Sequence, residues 1–185
     1  ERVTYVPLVG GMGRLRMELH ANSLAEKMSR LGDGTFIPLH APARVSSTLV
    51  RDELMKEESV QDAVKLMNRI DVALVGIGYP NEHSAIKATG YYKENEIESL
   101  VSRKAAGELC MQFYDIEGHT GPYASDNAVI GMDIHRLCKV PCSVGIAGGK
   151  EKLSAIQGAI NGKYINVLIT DTECARALLS DEEEE

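Results

Sequence analysis

Two patterns of apolar residues alternate along the chain. Short apolar runs predict buried strands at residues 3–9, 35–39, 72–76, 110–114, 143–147 and 166–170. Longer segments with helical spacing of apolar positions predict helices at 15–31, 53–68, 94–106, 150–161 and 171–179. Continuously apolar strands separated by helices imply a parallel sheet covered on both faces, so we predict a three-layer α/β fold of Rossmann-like type.

The loops that follow the predicted strands are where a ligand is expected. In open α/β sheets, ligands bind beyond the carboxyl ends of the strands. These loops are residues 10–14, 40–47, 76–82, 115–121, 148–152 and 171–172, and several are rich in glycine and polar residues. Residues 114–131 break the strand–helix rhythm and indicate a β-hairpin or a long functional loop. The pattern predicts one shared ligand crevice in a single domain.

The net charge and the lengths of the apolar runs limit the kinds of partner that the chain is expected to bind. The 185 residues carry a net charge of −7, and most of it comes from the acidic tail at 181–185. The body, residues 1–180, is nearly neutral, which disfavours direct binding of DNA because nucleic-acid surfaces are normally basic. No apolar run approaches the roughly 20 residues that span a bilayer, so a membrane role is not expected.

The cysteines and histidines do not form a metal-binding pattern. The four cysteines, at 110, 138, 142 and 174, include no C-x2-C pair, and the five histidines lack the spacing of zinc ligands. We therefore expect reduced structural thiols in a cytoplasmic protein, without a metal or a cofactor. His40, directly after a predicted strand, is the histidine best placed for ligand contact.

A glycine-rich loop follows the first predicted strand. In "VPLVGGMGRLR", Gly10, Gly11 and Gly13 precede Arg14 and a predicted helix. Free amides at a helix N-terminus attract anions, and an arginine there adds a bidentate phosphate contact. The spacing fits neither a Walker A motif nor G-x-G-x-x-G, so an anion site and a plain strand–helix turn both remain open.

A second strand–glycine–helix turn lies at residues 147–156, with Lys150 and Lys152 in the first helical turn. An anionic ligand would offset the unfavourable placement of cations at a helix N-terminus, although exposed lysines there are also common.

Asp115, at the end of a strand, is suited either to bind sugar hydroxyls or to close an Asx turn with Gly118. Asp133-x-His135 resembles an oriented base, but no nucleophile or second carboxylate follows it.

Several segments together resemble one family. "VPLVGGMG", "GYYKENE", "ELCMQFYDIEG", "VIGM", "GIAGGKEKLSAI" and "NGKYINVLITDTECARALL" occur in this order. They resemble the effector-binding domain of the SorC sugar-responsive bacterial transcription regulators, of the deoxyribonucleoside regulator and central glycolytic genes regulator type. The resemblance covers nearly all 185 residues and implies a fold related to sugar-phosphate isomerases and deaminases.

The resemblance also implies a function and a set of site residues. It implies a non-catalytic sensor that binds a phosphorylated sugar and changes DNA binding by a longer, oligomeric protein, a dimer or tetramer. Family members carry a helix-turn-helix domain and an initial βα portion that are not in this sequence. Phosphate is expected at Gly10, Gly11, Gly13 and Lys152, and the sugar at Asp115 and Gly118. Placement in the loops adds Met12, Arg14, His40, Gly76 and Gly78. The alternative is a sugar-phosphate isomerase or deaminase.

Overall fold

The strand–helix alternation folds into seven strands and eight helices within residues 2–81 and 85–180, which are the residues that the computed structural model describes. The strands are β1 Thr4–Tyr5, β2 Thr35–Phe36, β3 Val72–Gly76, β4 Gly107–Leu109, β5 Gln112–Tyr114, β6 Cys142–Ile146 and β7 Val167–Ile169. The helices are α1 Ala21–Leu31, α2 Thr48–Leu54, α3 Glu58–Met67, α4 Ala85–Ala88, α5 Glu94–Ser102, α6 Ile134–Leu137, α7 Leu153–Asn161 and α8 Thr172–Ser180. The predicted tail, 181–185, lies outside the described residues.

Two parallel sheets and one hairpin make up the β-structure. Strand β1 pairs with β2, and a separate three-stranded parallel sheet has the order β3-β6-β7. Strands β4 and β5 form an antiparallel hairpin, whose tip residues Cys110 and Met111 have positive φ. Parallel strands joined through helices are the pattern of a doubly wound α/β fold, as the sequence predicted.

Several predicted elements are shorter in the structure because loop pairing replaces them. The first strand ends at Tyr5, and Gly10 then donates to the Ile130 carbonyl (3.0 Å) instead of continuing the sheet. The predicted helix 53–68 is two helices, α2 and α3, and Ser47 caps the first by accepting from the Val50 amide. Residues 114–131 form a tight turn and a 3-10 segment, Gly121–Asp126, rather than a hairpin.

The main core lies between the three-stranded sheet and the helices α3 and α7. Val75 and Ile77 of the sheet region pack with Tyr114 of the hairpin and Ile156 of α7, all of them almost fully buried. A smaller cluster centres on Phe113, whose ring meets that of Tyr92 edge-on at 5.5 Å. The hairpin β4–β5 contributes to both clusters, so its position relative to the sheet is fixed.

Helices cover only one face of the three-stranded sheet among the described residues. Side chains on the opposite face, including Leu74 and Ile169, are about half exposed, at 46% and 54%. The expectation of a sheet covered on both faces is therefore met on one face of β3-β6-β7 only. Within residues 2–81 and 85–180, no helix combines the length and the apolar character needed to cross a membrane.

Candidate functional site

The turn after β6 is held in place by the start of α8. Gly149 has φ of +100°, a conformation that glycine adopts without strain. Its amide donates to Oδ2 of Asp171 (2.7 Å), while Oδ1 of the same carboxylate accepts from the amides of Glu173 and Cys174. These hydrogen bonds lower the pKa of Asp171. One ionised carboxylate therefore fixes the glycine turn against α8.

The two lysines of this turn have different surroundings. Lys150 is exposed and pairs with Glu173 (2.6 Å) on the surface. Lys152 is half-buried, and its Nζ donates to the Ile77 carbonyl (2.9 Å), at the carboxyl end of β3. Since β3 and β6 are neighbours, the Lys152 ammonium lies where two parallel strands end. Lys152 is thus the lysine that faces the predicted crevice.

Glu108 of β4 lies near Lys152, at the carboxyl end of β3. Its backbone pairs with Gly78 in both directions, at 3.0 and 2.9 Å, and one carboxylate oxygen accepts from the Met111 amide (2.8 Å). A Cβ at position 78 would contact the Glu108 carboxylate, so any residue other than glycine there would require this side chain to shift. The hairpin thereby brings a carboxylate to the strand ends beside Lys152.

The surroundings of Glu108 change its acidity. Burial raises its pKa to about 7, while the hydrogen bond from Met111 and the charge of Lys152 both lower it. Lys152 and Glu108 make no direct salt bridge, and the Lys152 ammonium donates to the Ile77 carbonyl. A carboxyl with this pKa can accept or donate a hydrogen bond near neutral pH. A cation beside such a carboxyl suits a ligand that has both an anionic group and hydroxyls.

The first glycine loop uses most of its amides within the fold. The amides of Gly10, Gly11 and Arg14 donate to the carbonyls of Ile130 (3.0 Å), Ala41 (2.8 Å) and Thr89 (2.9 Å). Among the residues that the structure describes, the amides of Met12 and Gly13 make no hydrogen bond to the backbone. The loop also precedes a 3-10 segment, Met17–Leu19, and α1 begins only at Ala21, so the expected position at a helix N-terminus is wrong.

The remaining predicted site residues lie in three different loops or strands. His40 is exposed, and the neighbouring Leu39 is anchored by two hydrogen bonds to Asn22. Arg14 is exposed, with its aliphatic carbons close to Gly90. Gly76 lies on the exposed face of β3 with open space around it, whereas Gly78 lies against Glu108. The structure thus groups Lys152, Glu108 and Gly78, and it places His40 directly before the segment 41–43 that pairs with the first glycine loop.

Asp115 and Gly118 lie at a different place. Asp115 Oδ1 accepts from the amides of Glu117 (3.0 Å) and His119 (2.8 Å), which is the Asx turn that the sequence left open. Gly118 has a positive φ and packs against Gly162, just beyond the end of α7. Lys152 precedes the start of α7, so about 14 Å of helix separates Lys152 from Gly118. The Asp115 carbonyl oxygen lies closer to Lys152 along this helix, beside Gly158 in the middle of α7.

The Asp133-x-His135 pair does not form an oriented base. Asp133 caps α6 by accepting from the His135 backbone amide (2.8 Å). The His135 ring instead contacts the Thr120 hydroxyl (2.9 Å). In the described part of the chain, no group of three or more metal-ligating side chains is close enough to hold a metal ion.

Sequence reasoning missed Glu108. Its role depends on the pairing of Glu108 with Gly78, thirty residues earlier, and that pairing follows no local pattern. One signal was available: an acid in the apolar stretch "GELCMQFY" is unusual, because a buried carboxylate normally needs a partner. The predicted strand 110–114 also began too late to include it.

Known proteins resemble this chain in both sequence and structure. The sorbitol operon regulator of Klebsiella pneumoniae is 32% identical over 96% of this chain, and its crystal structure superposes with a TM-score of 0.89. The deoxyribonucleoside regulator of Bacillus subtilis (strain 168) is 29% identical over 97% of the chain. A sugar-binding domain of a transcriptional repressor from Vibrio fischeri superposes with a TM-score of 0.87 at 25% identity, over 99% of this chain.

The relatives are longer than this chain. It spans 57% of the length of each of the two curated regulators and 72% of the solved Vibrio fischeri domain. The family model of sugar-binding domains named Sugar-bind matches residues 1–180, which is nearly the whole sequence. The chain therefore belongs to the family of SorC-type sugar-binding domains found in transcriptional regulators.

Proposed function

We propose that this chain is the effector-sensing part of a bacterial transcriptional regulator and that its effector is a phosphorylated sugar. The observation that carries the proposal is the placement of Lys152 beside Glu108 at the ends of β3 and β6. An ammonium group binds phosphate, and a carboxyl whose pKa is near neutral pairs with sugar hydroxyls. The match to a family of sugar-binding domains and the name of one relative, a sorbitol operon regulator, support a sugar as the ligand; the phosphate is inferred from Lys152.

In this proposal the phosphate lies at Lys152 and at the start of α7. A cation just before a helix is unfavourable alone, and an anion bound there removes the cost. The amides of Met12 and Gly13, together with Arg14 and His40, are candidates for further contacts from the first glycine loop. Asp115 and Gly118 are not assigned to the ligand in this proposal, because Asp115 Oδ1 already accepts from two amides of its own turn.

Regulation follows if the effector binds one state of the protein more tightly than another. We assign DNA binding to a separate part of a longer, cytoplasmic protein, because residues 1–180 are nearly neutral in net charge and a surface that binds DNA is normally basic. We expect a homodimer or homotetramer, with light scattering as the measurement. A ligand-dependent change in DNA affinity of the longer protein is the expected result.

The test is calorimetric titration of the 185-residue chain, and of the longer protein that contains it, with ribose 5-phosphate, deoxyribose 5-phosphate, glucosamine 6-phosphate and sorbitol 6-phosphate. The unphosphorylated sugars are the controls. Binding of at least one phosphorylated sugar, and of no parent sugar, is expected. No heat from any of them at millimolar concentration contradicts the proposal. Turnover of a bound sugar phosphate would instead favour the enzyme alternative.

A further inference from the structure

Glu108 and Lys152 both contact the peptide unit that joins Ile77 to Gly78. The carbonyl of this unit accepts from Lys152 Nζ (2.9 Å), and its amide, that of Gly78, donates to the Glu108 carbonyl (3.0 Å). The Glu108 carboxyl group lies beside the Cα of Gly78, in the space that a side chain at position 78 would take. A carboxyl group and an ammonium group therefore border one peptide unit at the carboxyl end of β3.

One oxygen of the Glu108 carboxyl group is available to a ligand. Oε2 accepts from the Met111 amide (2.8 Å) at the tip of the hairpin. Among residues 2–81 and 85–180, no hydrogen-bond donor contacts Oε1, and the Glu108 side chain is partly exposed. A ligand bound at Lys152 is therefore expected to meet Oε1 as its neighbour.

The groups around Glu108 carry little charge. In the described part of the chain, the titratable groups coupled to it are Lys152, Cys110, Tyr92 and Tyr114. Burial raises the pKa of the Cys110 thiol to about 12, and it raises the pKa of both tyrosines above their usual range. These three side chains are therefore neutral near pH 7, and the charge that acts on Glu108 is that of Lys152.

A sugar phosphate bound at Lys152 changes this balance of charge. The second pKa of a phosphate monoester is about 6, so the ligand is mostly a dianion above neutral pH. With Glu108 ionised, one ammonium group would face both the dianion and a carboxylate. Two anionic groups that share a partly buried site raise the pKa of the weaker acid, so the carboxyl group takes a proton. Burial has already raised the pKa of Glu108 to about 7 without a ligand, which makes this protonation easier.

We propose that the domain takes up a proton together with each effector molecule and that Glu108 holds this proton in the complex. The inference rests on the proposed function, since it needs a phosphate at Lys152. The proton comes from the solvent, and the protonated Oε1 donates it in a hydrogen bond to an oxygen of the sugar phosphate. Oε2 continues to accept from the Met111 amide. The affinity for the effector then falls as pH rises above about 7, because the free carboxylate must first be protonated.

The test is calorimetric titration at pH 8 of the 185-residue chain, and of the longer protein that contains it, in Tris and in HEPES. The probes are ribose 5-phosphate, deoxyribose 5-phosphate and sorbitol 6-phosphate, because the amino group of glucosamine 6-phosphate titrates in the same range. The two buffers differ in their heat of ionisation, so the difference between the observed heats gives the number of protons bound. We expect uptake of at least about 0.5 proton per bound effector and an affinity about threefold to eightfold weaker at pH 8 than at pH 7.

Glu108→Gln replaces the carboxyl group by a neutral group of the same shape. This variant is expected to bind the same sugar phosphate without proton uptake and, at pH 8, no more weakly than the wild type. Glu117→Gln, at an exposed position, is the matched control and is expected to keep the uptake.

The outcomes separate this inference from the proposed function. Binding by the wild type with less uptake than expected overturns the inference and leaves the proposed function intact. Uptake that persists in Glu108→Gln overturns it too, and so does loss of binding by a Glu108→Gln variant whose circular dichroism shows it folded, because the carboxylate itself would then be required. Binding of no sugar phosphate contradicts the proposed function and this inference together.

Discussion

The two glycine-rich turns, residues 10–14 and 148–152, share a sequence pattern but differ in structure. Both follow a strand, and both combine glycines with a basic residue. In the first, three amides are bonded to distant backbone carbonyls, so the glycines allow close packing of the chain. In the second, an aspartate holds the turn and Lys152 reaches across the strand ends. Glycine spacing alone therefore does not separate a turn whose amides are used within the fold from the turn that we propose binds the ligand.

The largest effect that we expect is a loss of stability when Gly10, in the first glycine loop, is substituted. An added Cβ at Gly10 would lie 2.5 Å from the Ala41 carbonyl oxygen and 2.6 Å from that of Pro42, whereas at Gly11 the nearest atom is 3.7 Å away. Gly10→Ala is therefore expected to lower the free energy of unfolding by about 2–3 kcal/mol, and Gly11→Ala by less than about 0.5 kcal/mol. Urea denaturation measures both, and equal losses would show that the loop is not packed as described.

The next effect is expected on the affinity for the ligand, from substitution of the lysines in the second glycine turn, residues 148–152. Lys152→Met is expected to weaken binding of the sugar phosphate by about tenfold to a hundredfold, because a charged hydrogen bond to phosphate is worth about 1.5–3 kcal/mol. Lys150→Met is the matched control, since Lys150 pairs with Glu173 at the surface, and a change of less than about twofold is expected. Calorimetry measures both affinities. Equal losses from the two variants would mean that general positive charge, not the position of Lys152, matters.

The acidity of Glu108 predicts a dependence of stability on pH. Its pKa is raised from 4.5 to about 7 in the fold, so between these values the folded state binds more protons than the unfolded state. The free energy of unfolding should therefore fall as pH rises through this window, by about 1–3 kcal/mol, and level off above it.

Glu108→Gln is expected to remove this slope, and Glu117→Gln, at an exposed position, is expected to keep it. Urea denaturation between pH 5 and pH 8 measures the slope in each variant. A slope that persists in Glu108→Gln would assign it to another group.

The smallest expected effect concerns Asp115. Asp115→Ala removes the acceptor of two backbone amides and is expected to cost about 1 kcal/mol of stability. Its effect on the affinity for the sugar phosphate is expected to be less than twofold, measured by calorimetry on the folded variant. A tenfold loss of affinity would return Asp115 to the ligand site.

The sequence predicted the fold well where local patterns decide it. The alternation of apolar runs located β3, β6, α5 and α8 to within a few residues, and the parallel arrangement followed from their continuous apolar character. The glycine turn between β6 and α7 was also predicted, whereas the role of Lys152 at a ligand remains a prediction. What failed depends on contacts between distant residues, since the amide of Gly10 is taken by Ile130 and Glu108 is placed by Gly78. A periodic pattern of apolar residues within a short stretch of sequence carries no information about pairing between such distant residues.

If Lys152 and Glu108 bind the effector, as we propose, a crystal structure with a bound sugar phosphate will show both contacts. We expect a phosphate oxygen within about 3.2 Å of Lys152 Nζ and a sugar hydroxyl within the same distance of the Glu108 carboxyl group. A phosphate bound beside Asp115, or in the first glycine loop with Lys152 still bonded to the Ile77 carbonyl, would contradict it.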